Sequence, residues 1–230
     1  MRVVAIIPAA GEGRRMGSAV EKQFLYLRGT PILAHTLKVF DQSPEVEGIV
    51  LVVAPQQRQA LETEVLKPHP CSKLFSVVDG GPERQDSVGN GLKSIPSESE
   101  LIVVHDGVRP LVNIDLLAAV LEAASHYGAA IAAIPAGDTV KQVENKRVVA
   151  TLERETIWLA QTPQVFDAGL LREAYERATG DEVVLTDDAA LVERLGVEVH
   201  LVPGSPENIK VTTPSDLVVA EAILAERERK

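Results

Sequence analysis

The feature that most constrains this chain is the alternation of short apolar runs with segments of helical character. The apolar runs are continuous and are bounded by glycine, proline or aspartate, at 3–10, 48–54, 74–78, 101–105, 129–134 and 197–202. Such runs are typical of strands buried on both faces of a parallel sheet. The segments between them predict helices at 31–40, 56–66, 87–94 and 115–127. The alternation therefore predicts an α/β fold, a Rossmann-like three-layer domain with a mostly parallel sheet.

The length of the chain fits one such domain. Single α/β units often run to 200–250 residues, and this chain has 230 residues, of which 45% are hydrophobic. We therefore expect a single domain over residues 1–230. An amphipathic segment at 214–229 predicts a last helix, with Thr213 or Ser215 near its N-cap.

One segment, 138–155, departs from this pattern. Two polar, β-branched stretches, 139–143 and 147–152, flank the polar turn Glu144-Asn145-Lys146. This pattern predicts a β-hairpin that protrudes from the sheet. The hairpin has too few apolar residues to be stable alone, so we expect it to pack against a second subunit.

Charge is unevenly distributed along the chain. The formal net charge is −10, yet the first 30 residues carry five basic and two acidic side chains. An acidic protein lacks the basic face that general nucleic-acid binding requires. The basic N-terminal segment remains suited to a small anion.

The cysteine count and the apolar runs bear on the compartment. The single cysteine, Cys71, cannot form an internal disulfide bond, and no apolar run approaches the ~18 residues of a membrane span. The chain also enters its first apolar run at once, without the long apolar region of a secretory signal. We expect a cytoplasmic protein that does not bind membranes.

The loop after the first predicted strand, PAAGEGRRMG (8–17), has the chemistry of a polyphosphate site. Glycines let the backbone approach an anion closely, and arginines match phosphate oxygens. The dinucleotide fingerprint fails because Met16 stands where glycine is required, and no Gly-Lys-Ser/Thr follows for a Walker loop. The alternative is a tight turn with two solvated arginines.

A second polar cluster, His105, Asp106 and Arg109, follows the predicted strand at 101–105 and should lie at the same sheet edge. Asp106 could bind Mg²⁺, which commonly takes one or two carboxylates together with substrate phosphates. Alternatively, Asp106 and Arg109 form a structural ion pair. Three further polar segments, 79–87, 158–164 and 208–212, are expected to be loops, in which Ser87 could cap a helix and Lys210 could be solvated.

Taken together, these motifs resemble the 2-C-methyl-D-erythritol 4-phosphate cytidylyltransferase family. The matching blocks span nearly the whole chain in order: PAAGEGRRMG (8–17), EKQF (21–24), DGGPERQDSV (79–88), VHDGVRP (104–110), TPQ (162–164), TDD (186–188) and NIKVT (208–212). The resemblance implies transfer of CMP from CTP to methylerythritol phosphate with release of pyrophosphate, in non-mevalonate isoprenoid precursor biosynthesis, with Mg²⁺ on the nucleotide phosphates.

The resemblance also implies roles for individual residues. Nucleotide-binding residues would be Ala9, Ala10, Gly11, Gly13, Gly81 and Ser87, with Ser87 and nearby backbone reading cytosine. Catalytic cations on the phosphates would be Arg15, Lys22 and Lys210. Acceptor-binding residues would be Asp106, Arg109, Thr139, Arg154, Thr162 and Thr186, with Asp106 also a metal ligand. The hairpin at 138–155 would form a homodimer and complete the partner's site.

The chemistry of the reaction agrees with this set. Attack of a phosphate oxygen on an α-phosphorus brings two anions together, so cations and positioning must supply the catalysis and no covalent nucleophile is needed. Cys71 is therefore expected to be incidental. Two alternatives remain: a cytidylyltransferase acting on ribitol 5-phosphate, and a non-catalytic nucleotide-binding regulator.

Overall fold

The computed structural model describes residues 2–11, 21–181 and 183–229. The strands are β1 (Val3–Pro8), β2 (Tyr26–Leu27), β3 (Thr30–Pro31), β4 (Val46–Val53), β5 (Leu74–Asp79), β6 (Leu101–Val104), β7 (Ala129–Pro135), β8 (Lys141–Glu144), β9 (Arg147–Thr151), β10 (Trp158–Asp167) and β11 (His200–Pro203). The helices are α1 (Ile32–Gln42), α2 (Arg58–Ala60), α3 (Arg84–Lys93), α4 (Ile114–Tyr127), α5 (Ala168–Gly180), α6 (Asp188–Glu193) and α7 (Pro214–Arg227). Single 3₁₀ turns lie at Lys22–Phe24, Pro55–Gln57 and Arg154–Thr156.

Within the described residues, seven strands form one sheet in the order β11-β7-β10-β6-β1-β4-β5. Every neighbouring pair is parallel except those of β10, which runs antiparallel to both β6 and β7. The prediction of an α/β fold with a mostly parallel sheet is confirmed. The six predicted apolar runs all became strands of this sheet.

The core has two layers, one on each face of the sheet. Successive strand side chains point to opposite faces, so Val3, Ala5 and Ile7 pack with α1 and α4, whereas Val4 and Ile6 pack with α3, α5 and α6. Burial on both faces explains why these strands read as continuous apolar runs. The helices on both sides confirm the three-layer arrangement.

The helix ends follow local sequence signals. Asn113 caps α4 by accepting from the Leu116 N–H at 2.8 Å, and Gly128, with φ of 81°, ends the helix. Thr213 caps α7, and Pro214 occupies its first turn. The predicted last helix is therefore confirmed, with Thr213 as its N-cap. None of the helices in the described ranges is both long and apolar enough to cross a membrane.

Some boundaries were wrong. Residues 158–164, expected to be a loop, form most of β10, where the register shifts between Ala160 and Gln164. This strand was not predicted because Gln161, Thr162 and Gln164 are polar. Their side chains form hydrogen bonds inside the protein, but a polar stretch of sequence is typical of a loop. Helix α5 had no counterpart in the prediction, and the helix expected at 56–66 is interrupted by a π turn over Leu61–Leu66.

The predicted hairpin exists. Strands β8 and β9 pair with each other in a separate two-stranded sheet, and Asn145 and Lys146 form the turn with φ of 48° and 63°. Two consecutive residues with positive φ are typical of the type I′ turn, which joins the two strands of a hairpin through a two-residue loop. Most of the hairpin is exposed, including Val143 and Val148. We call residues 138–155 the arm.

Candidate active site

A cleft of about 670 Å³ lies at the carboxyl ends of β1, β4, β5 and β6. Parallel strands bring their carboxyl ends to one edge of a sheet, and the loops that follow them form the walls. The structure therefore brings together residues that are far apart in sequence. The predicted site residues that line this pocket are Ala9, Ala10, Gly11, Lys22, Gly81, Ser87, Asp106 and Lys210.

The loop after β1 forms one wall of the pocket. The Ala9 N–H donates to the Val52 carbonyl at 2.7 Å, which continues the pairing of β1 with β4 beyond the end of the strand. Gly80, after β5, packs so closely against this loop that a Cβ there would lie 2.3 Å from the Cβ of Ala10. Lys22 lies next to Gly11 at the pocket. Two predicted residues of this loop, Gly13 and Arg15, lie outside the described residues, and their roles stay predictions.

The turn after β5 also lines the pocket, and Ser87 fixes its shape. The Ser87 hydroxyl accepts from the Gly81 N–H at 3.1 Å and donates to the Glu83 carbonyl at 3.1 Å. Ser87 does not cap α3, whose N-cap is Glu83. Because Ser87 is buried and both its bonds go to backbone, it holds the loop backbone in place at the pocket.

Asp106 lies at the floor of the pocket among three cationic side chains. Its Oδ1 accepts from Arg84 Nε at 3.1 Å, and its Oδ2 lies 2.8 Å from Lys210 Nζ and 3.6 Å from Arg109 Nε. Burial alone would raise the pKa of Asp106, but the charges of Arg84 and Lys210 more than offset it, so this pKa lies far below its usual value. Asp106 is therefore ionised at neutral pH and is too weak a base to remove a proton from a substrate.

Arg84 is a pocket residue to which the sequence alone assigned no role. It lines the pocket, and its guanidinium bridges Asp106 and Asp188, the latter with Nη2 to Oδ2 at 2.8 Å. Burial would lower the pKa of Arg84, but these carboxylates raise it above its usual value. A local signal was present, because Arg84 follows a glycine pair at a strand end. Its partner Asp188 is about 100 residues away in sequence, and no local pattern links the two.

Arg109 lies beneath Asp106 rather than in the open pocket. Its side chain is only 12% exposed, and its Nη1 donates to the Asn208 carbonyl at 2.7 Å. The predicted Asp106–Arg109 pair is thus present at 3.6 Å as a buried contact. The acceptor-binding role of Arg109 stays a prediction.

His105 and Thr162 hold the backbone of Asp106. His105 Nε2 lies 3.2 Å from the Arg109 carbonyl, which can only accept, so Nε2 carries the proton and Nδ1 accepts from the Thr162 hydroxyl at 3.0 Å. The Thr162 oxygen in turn accepts from the Asp106 N–H at 3.1 Å. Burial lowers the pKa of His105 to about 4, so the ring is neutral at pH 7.

Besides Arg109 and Thr162, which lie buried beside Asp106, three further predicted acceptor-binding residues do not line the pocket in the structure. Thr139 lies at the base of the arm, Arg154 lies in the 3₁₀ turn at the end of the arm, 3.5 Å from Glu155, and Thr186 lies just before α6. All three are exposed. Their roles stay predictions, and the arm residues Thr139 and Arg154 would need a second subunit to meet a pocket.

Cys71 is remote from this chemistry. It lies in the segment 68–71, which lines a second cleft together with α1, and its thiol contacts Asp41 Oδ1 at 3.5 Å. Burial, followed by the charge of Asp41, raises the pKa of Cys71 to about 12, so the thiol is a poor nucleophile.

The arrangement is suited to binding a small polyanion. Around the buried floor, three cations face two carboxylates, Asp106 and Asp188, and Lys22 adds a further positive charge at the wall. Among residues 2–11, 21–181 and 183–229, no group of three or more His, Cys, Asp or Glu side chains could hold a metal ion. The cationic side chains at this pocket can neutralise and position an anion.

Comparison with known proteins agrees with this geometry. The family model for 2-C-methyl-D-erythritol 4-phosphate cytidylyltransferase matches residues 3–226. The enzyme of that name from Syntrophus aciditrophicus is 50% identical over 228 residues, covering 99% of this chain and 97% of the relative. The one from Geobacter metallireducens is 48% identical over 230 residues, covering 99% of each.

Two solved structures with related names have a similar fold. The crystal structure of 4-diphosphocytidyl-2C-methyl-D-erythritol synthase from Anaerococcus prevotii is similar with a TM-score of 0.86 at 32% identity, covering 97% of this chain and 98% of that one. The 2-C-methyl-D-erythritol 4-phosphate cytidylyltransferase from Thermus thermophilus is similar with a TM-score of 0.79 at 36% identity, with the same coverage.

Proposed function

The chain belongs to the 2-C-methyl-D-erythritol 4-phosphate cytidylyltransferase family, and from this premise we propose how its pocket performs the reaction. The chain is a nucleotidyltransferase that transfers CMP from CTP to 2-C-methyl-D-erythritol 4-phosphate, giving 4-diphosphocytidyl-2-C-methyl-D-erythritol and pyrophosphate. The observation that carries the residue roles is the meeting of Gly11, Lys22, Ser87, Asp106 and Lys210 in one pocket.

The nucleotide would lie between the two loop walls. The small residues Ala9, Ala10 and Gly11 let a ligand approach the backbone on one side. On the other side, Ser87 holds the turn that contains Gly81, so that the backbone of this turn faces the pocket in a fixed shape. A base is recognised through fixed hydrogen-bonding groups, and this turn would read cytosine.

The phosphates would lie between Lys22 and Lys210. In the reaction, an oxygen of the acceptor phosphate forms a bond to the α-phosphorus of CTP, and the bond from that phosphorus to the bridging oxygen of the leaving pyrophosphate breaks. Charge builds on the five-coordinate centre, and preorganised cations stabilise it. Lys22, Lys210 and Arg15 would supply this stabilisation, and Asp106 would orient the acceptor.

The Asp106 site does not fit a protein-held metal ion. Both Asp106 oxygens already lie within ion-pair distance of cationic side chains, which would repel a divalent cation. Magnesium ions keep much of their water shell and often bind substrate phosphates. We therefore propose that Mg²⁺ enters with the CTP phosphates, and the ligand role predicted for Asp106 would require Arg84 or Lys210 to move away.

The arm supports a homodimer. It exposes Val143, Val148 and Val149 outside the core, and apolar side chains clustered on a two-stranded hairpin gain stability when another surface covers them. A second copy of the chain would cover them and would bring Thr139 and Arg154 toward a neighbouring pocket. A cytoplasmic location agrees with the lone partly buried cysteine.

An activity assay tests the proposal. Purified protein is supplied with CTP, Mg²⁺ and either methylerythritol phosphate or ribitol 5-phosphate, and pyrophosphate release is followed. We expect turnover with methylerythritol phosphate and a large preference for it. A preference for ribitol 5-phosphate would overturn the acceptor assignment, and no release with either polyol phosphate would favour the non-catalytic alternative.

A further inference from the structure

Arg84 is held at the pocket by two carboxylates from different parts of the fold. Its Nε donates to Asp106 Oδ1 at 3.1 Å, and its Nη2 donates to Asp188 Oδ2 at 2.8 Å. Asp106 follows β6, whereas Asp188 is the first residue of α6. The planar guanidinium is rigid, so two partners in its plane fix both its position and its orientation.

Asp188 is itself held from behind. Its side chain is 1% exposed, and its Oδ1 accepts from the Tyr175 hydroxyl of α5 at 2.5 Å. Burial, followed by the charge of Asp188, raises the pKa of Tyr175 above its usual value, so the hydroxyl remains a donor at neutral pH. With one oxygen held by Tyr175 and the other by Arg84, the carboxylate cannot rotate without losing a buried hydrogen bond.

The backbone at Asp188 is also fixed. Gln164 Oε1 accepts from the Asp188 N–H at 3.2 Å and from the Ala189 N–H at 3.1 Å. Because Gln164 lies in β10, next to β6 in the sheet, the start of α6 is tied to the strand pair that carries Asp106. The contacts thus form one buried chain from Tyr175 through Asp188 and Arg84 to Asp106.

We propose that Asp188, backed by Tyr175, is a positioning residue for the transfer reaction. It holds Arg84, and through Arg84 it sets the orientation of the Asp106 carboxylate at the pocket floor. This inference rests on the proposed function of the pocket. Without Asp188, Arg84 has one partner in place of two, and its guanidinium can turn about the remaining contact, so that Asp106 no longer meets the acceptor in one geometry.

Two substitutions test the proposal at different severity. Tyr175→Phe removes only the hydroxyl and keeps the ring in place. Since a hydrogen bond to a charged group is lost, we expect kcat to fall about tenfold. Asp188→Asn removes the charge that holds Arg84, and a displacement of about 1 Å in an active site can lower the rate about 100-fold. In both variants the KM for the acceptor should rise, and the KM for CTP should change less than about twofold.

The double variant separates positioning from a general structural role. If Tyr175 acts through Asp188, adding Tyr175→Phe to Asp188→Asn should lower kcat by less than about twofold further. An equal tenfold loss in both backgrounds would overturn the proposal. So would a loss of active protein that leaves both KM values unchanged, because misfolding alone produces that result.

Matched controls come from residues outside this chain of contacts. Asp167→Asn alters an exposed carboxylate that caps α5 through the Leu170 N–H and does not contact Arg84. Asparagine caps helices about as well as aspartate, so near wild-type activity is expected. Tyr127→Phe removes the hydroxyl of an exposed tyrosine and should also be silent. A loss in either control equal to that of its partner variant would contradict the proposal.

A structural measurement separates this inference from the proposed function. If wild-type protein releases no pyrophosphate, the proposed function fails, but the positioning claim can still be tested. Crystal structures of unliganded wild type and the Tyr175→Phe variant should then differ in the orientation of Arg84 and Asp106. Identical orientations in the two would overturn the positioning role whatever the activity of the wild type. If Asp188→Asn fails to fold, Tyr175→Phe carries the test.

Discussion

The pocket floor and the arm differ in how far their side chains are buried and paired. Asp106 is 6% exposed and has charged partners on both carboxylate oxygens, whereas Val148, on the arm, is 61% exposed. The floor is assembled within one chain from elements far apart in sequence. The arm is a local hairpin, and its valine side chains Val143, Val148 and Val149 are exposed among the residues that the structure describes. The pocket is therefore formed within one chain, whereas we propose that the predicted acceptor contacts on the arm involve a second copy.

The largest loss of activity is expected when a cation is removed from the pocket wall. Lys22→Ala should lower kcat about 100- to 1,000-fold, the loss seen when one preorganised charge-stabilising donor is removed. Steady-state kinetics with both substrates measures it. Lys67→Ala is the control, because Lys67 is an exposed lysine 3.9 Å from Glu62 on the surface. Near-normal kcat in Lys22→Ala would remove Lys22 from the mechanism.

The free energy of unfolding should also depend on pH, because His105 is buried at the pocket floor. The pKa of His105 is lowered by burial from 6.5 to about 4, so the unfolded chain binds a proton more readily than the folded one. The contribution of the neutral His105 ring to the free energy of unfolding is fully present above pH 6.5 and is lost as the pH falls toward 4. A shift of this size corresponds to about 3 kcal/mol of unfolding free energy.

Urea unfolding at a series of pH values measures this effect. The His105→Gln variant should show a flatter pH dependence between pH 6.5 and 4 than wild type, whatever its absolute stability. Asp106 does not contribute in this window, since its pKa is lowered and its stabilisation is lost only below the ordinary pKa of aspartate. Parallel curves for wild type and variant would show that His105 is not buried in neutral form.

On the arm side, Arg154 should affect one substrate only. Arg154→Ala should raise the KM for the acceptor about tenfold, the cost of one hydrogen bond to a charged group, and leave the KM for CTP unchanged. Arg147→Ala removes another arginine from the arm as a control. If Arg154→Ala shifts both Michaelis constants equally, Arg154 does not contact the acceptor.

The smallest expected change in the folded chain comes from Val148. Val148 pairs with Val143 across the arm, and Val148→Lys places a charge among exposed apolar side chains. The free energy of unfolding of the monomer should change by less than about 0.5 kcal/mol, yet the solution mass should fall from dimer to monomer. Gln142→Lys adds the same charge next to Val143, on the opposite face of β8. Sedimentation of a Val148→Lys dimer at low concentration would contradict the role of the arm.

Local patterns were sufficient to predict much of the fold. The continuous apolar runs identified the sheet because both of its faces are covered, and the polar β-branched pattern identified the arm. Strand β10 was missed because Gln161, Thr162 and Gln164 are polar, yet they are buried and hydrogen-bonded to loops from elsewhere in the fold. Burial of that kind has no local signature.

The residues of the candidate site also fall into two groups: those that local sequence patterns identify, and those that only the tertiary structure brings together. Gly11 and Asp106 follow strand ends, so the rule that ligands bind at the carboxyl edge of a sheet predicts that they lie at one edge, whereas the role of Lys22 came from the family resemblance. The contact of Arg84 with Asp188 joins two elements that are about 100 residues apart in sequence. Only the tertiary structure shows that these two side chains meet, and with them the chain of contacts that leads to Tyr175.

The most direct test is a crystal structure of the protein with CTP and Mg²⁺. We expect the triphosphate to lie between Gly11, Lys22 and Lys210, with the base against the turn that Ser87 holds. Density for CTP in another groove, such as that between α3 and α5 beside Asn90 and Arg172, with this pocket empty, would contradict it.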